Sequence, residues 1–214
     1  VMLAYPIALW LHKPMPGKPA IIGVLRAPMF VPGLVAAFLL MNVIAYHGIF
    51  NESLLALGII DKPMRLSNDK FGWSIVVLQV WKNLPFALIL ISGSIASIRG
   101  DLMDAALDLG ATRWARFCQV IFPLTIPALQ AASILIFIGA LGDFSFASVA
   151  GSRSSYSLAM LMNITATQYY EWENSAVIAM VIMLLAGFSA VVLTLLTQPF
   201  LTRKSVVVDM EKAS

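Results

Sequence analysis

Charge is what this 214-residue chain has least of: 12% of its residues are Asp, Glu, Lys or Arg, and 60% are hydrophobic. Soluble domains average about a quarter charged residues, so the scarcity excludes a solvated globule of this size. Three runs carry no charge at all, Ala27 to Ala45, Phe117 to Gly142 and Asn174 to Thr202, and a membrane-crossing helix needs roughly 20 apolar residues. The expected fold is all-α, a polytopic transmembrane helix bundle. A β-barrel is disfavoured because its strands would alternate over about 10 residues between turns, whereas these runs are longer and apolar on every face.

Cysteine is almost absent as well. Cys118 alone excludes an internal disulfide, and two distant histidines, His12 and His47, make no metal-ligand cluster. The chain has no nucleotide-binding Gly-x-x-x-x-Gly-Lys loop, no His-Glu-x-x-His and no nucleophile elbow. These absences predict a protein that is not an enzyme and holds no metal or cofactor. The net charge of +3 does not point to nucleic acid, because the basic residues sit in short segments between apolar runs, as membrane orientation requires.

What is present are five apolar segments: Val1 to Leu11, Ile21 to Tyr46, Phe71 to Ile98, Leu124 to Ala150 and Ser175 to Leu201. The first is too short to span and lacks the basic leader of a signal peptide, so it is expected to be the rest of a helix that starts earlier. Six helices are expected in the intact chain. Three basic clusters fall on one side if each segment crosses once: Lys13, Lys18 and Arg26; Arg99, Arg113 and Arg116; and Arg203 with Lys204. That side is placed in the cytoplasm. The loops Gly48 to Lys70 and Gly151 to Asn174 then face outward, where Lys62, Arg65, Lys70 and Arg153 are offset by Glu52, Asp61, Asp69, Glu171 and Glu173.

The longest inner polar stretch runs from Arg99 to Pro127. Asp101 can cap a short helix, with Asp104 approximating a capping box, and Gly110 is placed to end it in a left-handed conformation. Leu102, Ala105, Ala106 and Leu109 share one face, a small apolar stripe beside acidic residues. An amphipathic loop lying at the membrane interface accounts for that stripe as well as a partner surface does. Thr112 can cap a second helix, Arg113 to Ile121, with Pro123 and Pro127 punctuating the return to the membrane.

This stretch resembles the signature loop of binding-protein-dependent ABC importer permeases. Asp104-Ala105-Ala106 stands where the family has Glu-Ala-Ala, Gly110 follows at the family spacing, and Val120-Ile121-Phe122-Pro123 closes the motif; Asp104, Val120 and Phe122 depart conservatively from the pattern. Tyr5-Pro6-Ile7-Ala8, Trp81 and Pro85-Phe86 also look like the family, and the resemblance covers nearly everything from Val1 to Leu201. It implies a transmembrane permease domain over 1–201 with a cytoplasmic coupling loop at 99–123, and a cytoplasmic tail over 202–214. It further implies a multi-pass protein of the bacterial inner membrane. Its partners would be a cytoplasmic ABC ATPase dimer, a second permease subunit of the same or a homologous chain, an external solute-binding protein and lipid. Asp104, Ala105, Ala106, Gly110, Ala111 and Pro123 would couple to the ATPase.

Lys82 and Asp143 are charges inside apolar segments, each costing about 2.5–3.5 kcal/mol at mid-bilayer unless paired or hydrated. At about 1.5 Å of rise per residue, Lys82 lies about 16 Å inward from Phe71 and Asp143 about 11 Å from Ala150. Those depths fit an ion pair; they also fit a translocation path lined by Gln79, Lys82, Asn83 and Asp143. Tyr169, Tyr170, Glu171, Trp172 and Glu173 form an acidic aromatic cluster that suits either an interfacial belt or a docking surface for the binding protein. Gly142-Asp143-Phe144 looks most like the polyamine and ferric-iron branch, so the expected solute is a small one such as a polyamine, with ferric iron, thiamine and sulfate as alternatives. An ion-coupled secondary transporter is the competing class.

Overall fold

The structure, a computed structural model, describes residues 1–64, 66, 73–150 and 156–212, with side chains to residue 199. Every regular element among these residues is helical, as the scarcity of charge and the length of the apolar runs predict. The helices are α1 (Ala4–His12), α2 (Lys18–Arg26), α3 (Gly33–Ile44), α4 (Ile49–Ala56), α5 (Trp73–Ala96), α6 (Gly100–Asp108), α7 (Arg113–Arg116), α8 (Phe122–Leu141), α9 (Ser145–Ala150), α10 (Leu158–Thr167) and α11 (Trp172–Lys212). A 3-10 turn, Ala27–Phe30, follows α2, and a π turn, Phe117–Ile121, joins α7 to α8. Four stretches among the described residues are long and apolar enough to cross a membrane: Gly33–Ala56, Trp73–Ala96, Arg113–Leu141 and Trp172–Pro199.

Two of the five apolar segments are not the single helices that their composition suggests. Ile21 to Tyr46 is interrupted between α2 and α3, where Pro28 and Pro32 remove two backbone donors. Leu124 to Ala150 is interrupted at 142–144, between α8 and α9. Asp143 therefore lies in a break rather than within a helix, and a depth reckoned from helical rise does not apply to it. The loops expected to face outward contain two helices, α4 and α10, where the sequence suggested connections only. Arg65, Asp69, Lys70 and Arg153, assigned to those loops, lie outside the described residues. The 202–212 stretch, read as a tail, continues α11.

The chain divides into two compact units. One comprises Val1–Val24, Leu84–Ile136 and Gly187–Ser214; the other comprises Leu25–Asn83 and Phe137–Ala186. In the first unit Ala4, Ala8 and Leu11 are buried at helical spacing on α1, as are Ala87, Ile91 and Ile95 on α5. Small residues at such positions let helix backbones approach where lipid supplies no hydrophobic drive. Gln130 of α8 donates to the Thr194 hydroxyl of α11 at 3.0 Å.

The second unit is built on Ala36, Ala37, Leu78, Phe146 and Ala150, with Val31, Leu40, Met41, Ile75, Trp81 and Val149 packed on them. Here α3 lies along α9, and the two alanines of α3 again permit the close approach. Asn51, fully buried on α4, ties the outer loop together: its amide donates to the carbonyls of Ala45, Tyr46 and Met64, the last at 2.8 Å, and its oxygen accepts from Met64 N–H at 3.0 Å. Gly48 admits no side chain, since a Cβ there would stand 2.5 Å from the carbonyl oxygens of Asn42 and Val43.

Candidate functional site

The polar loop 99–123, expected on the inner side, belongs to the first unit. Its first helix, α6, starts at Gly100, two residues earlier than a cap at Asp101 requires, with Arg99 at the cap position and no side-chain cap bond. Asp101 instead sits in the first turn, where a carboxylate favours the positive end of the helix dipole, and it accepts from Arg99 Nη2 at 3.1 Å. Asp104 is exposed and makes no hydrogen bond to another described residue, so the reciprocal capping box does not form.

The far end of α6 is as the sequence predicts. Gly110 takes φ +75°, and the chain closes with Gly110 N–H on Leu107 O at 2.8 Å and Ala111 N–H on Ala106 O at 2.9 Å. That bond pair is a Schellman cap, whose C′ position favours glycine. Thr112 then caps the next helix by accepting from Ala115 N–H at 3.2 Å. Leu102 and Leu109 of the expected stripe are exposed, Leu109 by 88%, and so are Leu107 and Trp114. Among the described residues nothing covers this apolar and acidic face.

The second helix of the loop does not stop at Ile121. It passes through the π turn, in which Phe122 N–H reaches Phe117 O, and continues as α8. The wider turn accounts for Pro123 without a break: a proline ring collides with the carbonyl four residues earlier in an α-helix, and a π turn displaces that carbonyl. The Tyr5 ring packs edge-on against Phe117 and Phe122, with centroids 6.0 and 6.1 Å away, and Trp114 stacks on Phe117 at 5.4 Å. Tyr5 Oη lies 2.9 Å from Thr125 Oγ1. The buried Thr125 hydroxyl already has the carbonyls of Ile121 and Phe122 to donate to, so the tyrosine is the donor. No sequence signal pointed to this anchor, whose two ends are 120 residues apart.

In the second unit, three of the four residues assigned to a path form one hydrogen-bonded chain. Asn83 Nδ2 donates to Gln79 Oε1 at 2.8 Å, and Gln79 Nε2 donates to Asp143 Oδ2 at 2.7 Å. Asp143 Oδ1 accepts from the N–H groups of Ser145, at 2.7 Å, and Phe146, at 3.4 Å, which makes Asp143 the cap of α9. Lys82 does not pair with Asp143, although their depths fitted such a pair. Its ammonium donates to the carbonyls of Pro28, at 2.8 Å, and of Val31, and approaches that of Met29 at 3.4 Å. Backbone oxygens carry no residue signature, so the sequence could not reveal these partners. All four side chains are half-buried. Tyr169 and Tyr170 are exposed before α11 and Trp172 at its first position, with Tyr170 at φ +59°.

Four stretches long and apolar enough to cross a membrane, two interrupted apolar segments and a polar loop with exposed apolar side chains define a multi-pass α-helical membrane protein. The chain belongs to the family of binding-protein-dependent transport system inner membrane components, whose profile matches residues 2–203. It is the permease component of such a system, an inner-membrane protein. It is 28% identical over 194 residues to the spermidine/putrescine transport system permease protein PotB of Escherichia coli, an overlap of 90% of this chain and 70% of that one. It is 29% identical over 197 residues to the trehalose/maltose transport system permease protein MalF of Thermococcus litoralis, covering 90% and 67%. A chain of a bacterial alginate ABC transporter, solved in complex with an alginate pentasaccharide-bound periplasmic protein, has the same fold. The TM-score is 0.78 at 15% identity over 92% of this chain and 72% of that one.

Proposed function

We propose that this permease component carries a small cationic solute, a polyamine by preference, and draws its energy from a separate ATPase gripping the loop 99–123. The observation that carries the reading is the uncovered face of α6: Asp104, Ala105 and Ala106 beside exposed Leu102 and Leu109, closed at Gly110 by a cap that fixes the direction of the turn. The two alanines permit close approach, the aspartate suits a basic group on the partner, and Ala111 and Pro123 hold the loop's return. ATP-driven closure of an ATPase dimer then moves α6 as a rigid lever and switches access between the two sides.

Further support comes from the charge of the polar chain in the second unit. Lys82 is engaged by backbone oxygens, so Asp143 contributes the negative charge of the Gln79–Asn83–Asp143 path, and a negative path suits a cation. PotB, a polyamine permease by name, agrees with that choice. A second permease subunit would complete the path. An external binding protein would deliver the solute, docking on the acidic aromatic group Tyr169 to Glu173.

The test is charge reversal. The full-length chain is co-expressed with its ATPase and binding protein, and Asp104→Lys is compared with the natural residue for co-purification of the ATPase and uptake of labelled putrescine. We expect the variant to reach the membrane in normal amount, lose the ATPase and take up putrescine at least about tenfold more slowly, the scale of one charge-assisted contact. Undiminished uptake overturns the coupling role. Uptake of labelled sulfate in place of putrescine overturns the cationic class, and uptake of thiamine or ferric iron in place of putrescine overturns the polyamine.

A further inference from the structure

Both interruptions, at 27–32 and at 142–144, lie in the second unit and are held by the same turn of α5. At the first interruption Pro32 has no N–H to offer the Pro28 carbonyl, which keeps only the 3-10 bond from Val31 at 3.3 Å. Such exposed carbonyls are tolerated at membrane depth only when neighbouring groups satisfy them. Lys82 does so: an ammonium has three donors, and the carbonyls of Pro28, Met29 and Val31 surround it. At the second interruption Asp143 caps α9, and Gln79 takes its remaining oxygen. The Asn83 bond to Gln79 Oε1 turns the Gln79 nitrogen toward Asp143. Gln79, Lys82 and Asn83 stand at i, i+3 and i+4, one face of one turn.

We propose that Lys82 is a positioning residue and not a lining charge: it pins the interruption between α2 and α3 to the α5 turn that also grips the start of α9, so that both interruptions move with α5. The solute meets the amide and carboxylate chain, while the ammonium is consumed by backbone. This rests on the reading of Gln79, Asn83 and Asp143 as a path, and its test separates the two.

The full-length permease in its assembled transporter, in lipid nanodiscs, is compared with Lys82→Met and Lys82→Arg by amide hydrogen exchange and putrescine uptake. Met keeps the length of the side chain without a donor; Arg restores donors. In Lys82→Met we expect exchange over 31–36 to quicken about tenfold or more, as for loss of hydrogen bonds from a charged donor. A smaller increase is expected at Ser145 and Phe146. Uptake should fall in kcat with KM little changed, and Lys82→Arg should recover protection. Unchanged exchange, or a changed KM and solute charge preference at normal protection, overturns the proposal and makes Lys82 a lining charge. Should Lys82→Met fail to accumulate, Lys82→Leu, likewise without a donor, replaces it: quickened exchange supports the pin, and natural exchange overturns it. Normal uptake by Asp143→Asn removes the path reading alone, leaving the exchange result to decide the role of Lys82.

Discussion

The loop from Arg99 to Pro123 and the α5 turn from Gln79 to Asn83 are both polar interruptions of an apolar chain, yet they are built in opposite ways. The loop's structure-setting bonds are local: Ala111 on Ala106, Gly110 on Leu107, Ala115 on Thr112. The α5 turn is stitched to partners far along the chain, 64 residues away at Asp143 and 54 at Pro28. A locally bonded loop holds its shape while it is displaced, which is what a lever needs. A stitched turn fixes distant backbone in register, which is what a selective path needs.

Asn51 stands between these two cases, with bonds that span 5 to 13 residues, and it should show the largest effect on stability. Asn51→Ala removes a fully buried amide that serves three carbonyls and one N–H. Each buried group left unpaired costs about 1–3 kcal/mol, and water reaching the loop recovers part of the loss. A destabilisation of about 3 kcal/mol is expected in thermal unfolding of the purified protein, with exchange over 45–64 accelerated and the loop 99–123 unaffected. Uniform loosening of both regions would erase the contrast between local and stitched structure.

Next in size is Asp143, where capping and charge can be separated. Asn is also a good cap, and the Gln79 amide can turn its oxygen to the new N–H donors, so Asp143→Asn keeps the α9 start and loses only the charge. Putrescine uptake should fall about tenfold, the scale of one charge-assisted contact, with normal membrane insertion. Asp143→Ala should add a loss of thermal stability of about 1 kcal/mol from the missing cap. Equal stability of the two variants would mean that the bonds to Ser145 and Phe146 contribute nothing.

How much could be read in advance follows the same division. The αL turn at Gly110 and the cap at Thr112 were legible because glycine and threonine act on backbone within five residues of themselves. The helical class was legible because charge is so scarce. Asp101 was misplaced by two positions, since any carboxylate near a helix start looks like a cap, and the dipole stabilises it in the first turn just as well. The α10 helix carried a local signal: Ser157 accepts from Met160 N–H at 3.1 Å, a cap immediately before the apolar run Leu158 to Met162. The partners of Lys82 and the Tyr5–Thr125 bond left no local trace, because the chain must fold before those groups meet.

The smallest effect tests the local side of the contrast most cleanly. Thr112 has an exposed, short-range job: its hydroxyl satisfies Ala115 N–H at the start of the helix that runs through the π turn into α8. Thr112→Ala should cost about 1 kcal/mol, the usual loss for an N-cap, confined to the turn between α6 and α7. Because α6 keeps its own Schellman closure, the ATPase should still co-purify. What should change is the transmission of its movement, so uptake per ATP hydrolysed should fall modestly while ATPase binding holds. If coupling efficiency is untouched and the loss of stability spreads to α6, the loop is one cooperative piece rather than two capped helices in series, and the lever begins further along the chain than Gly110.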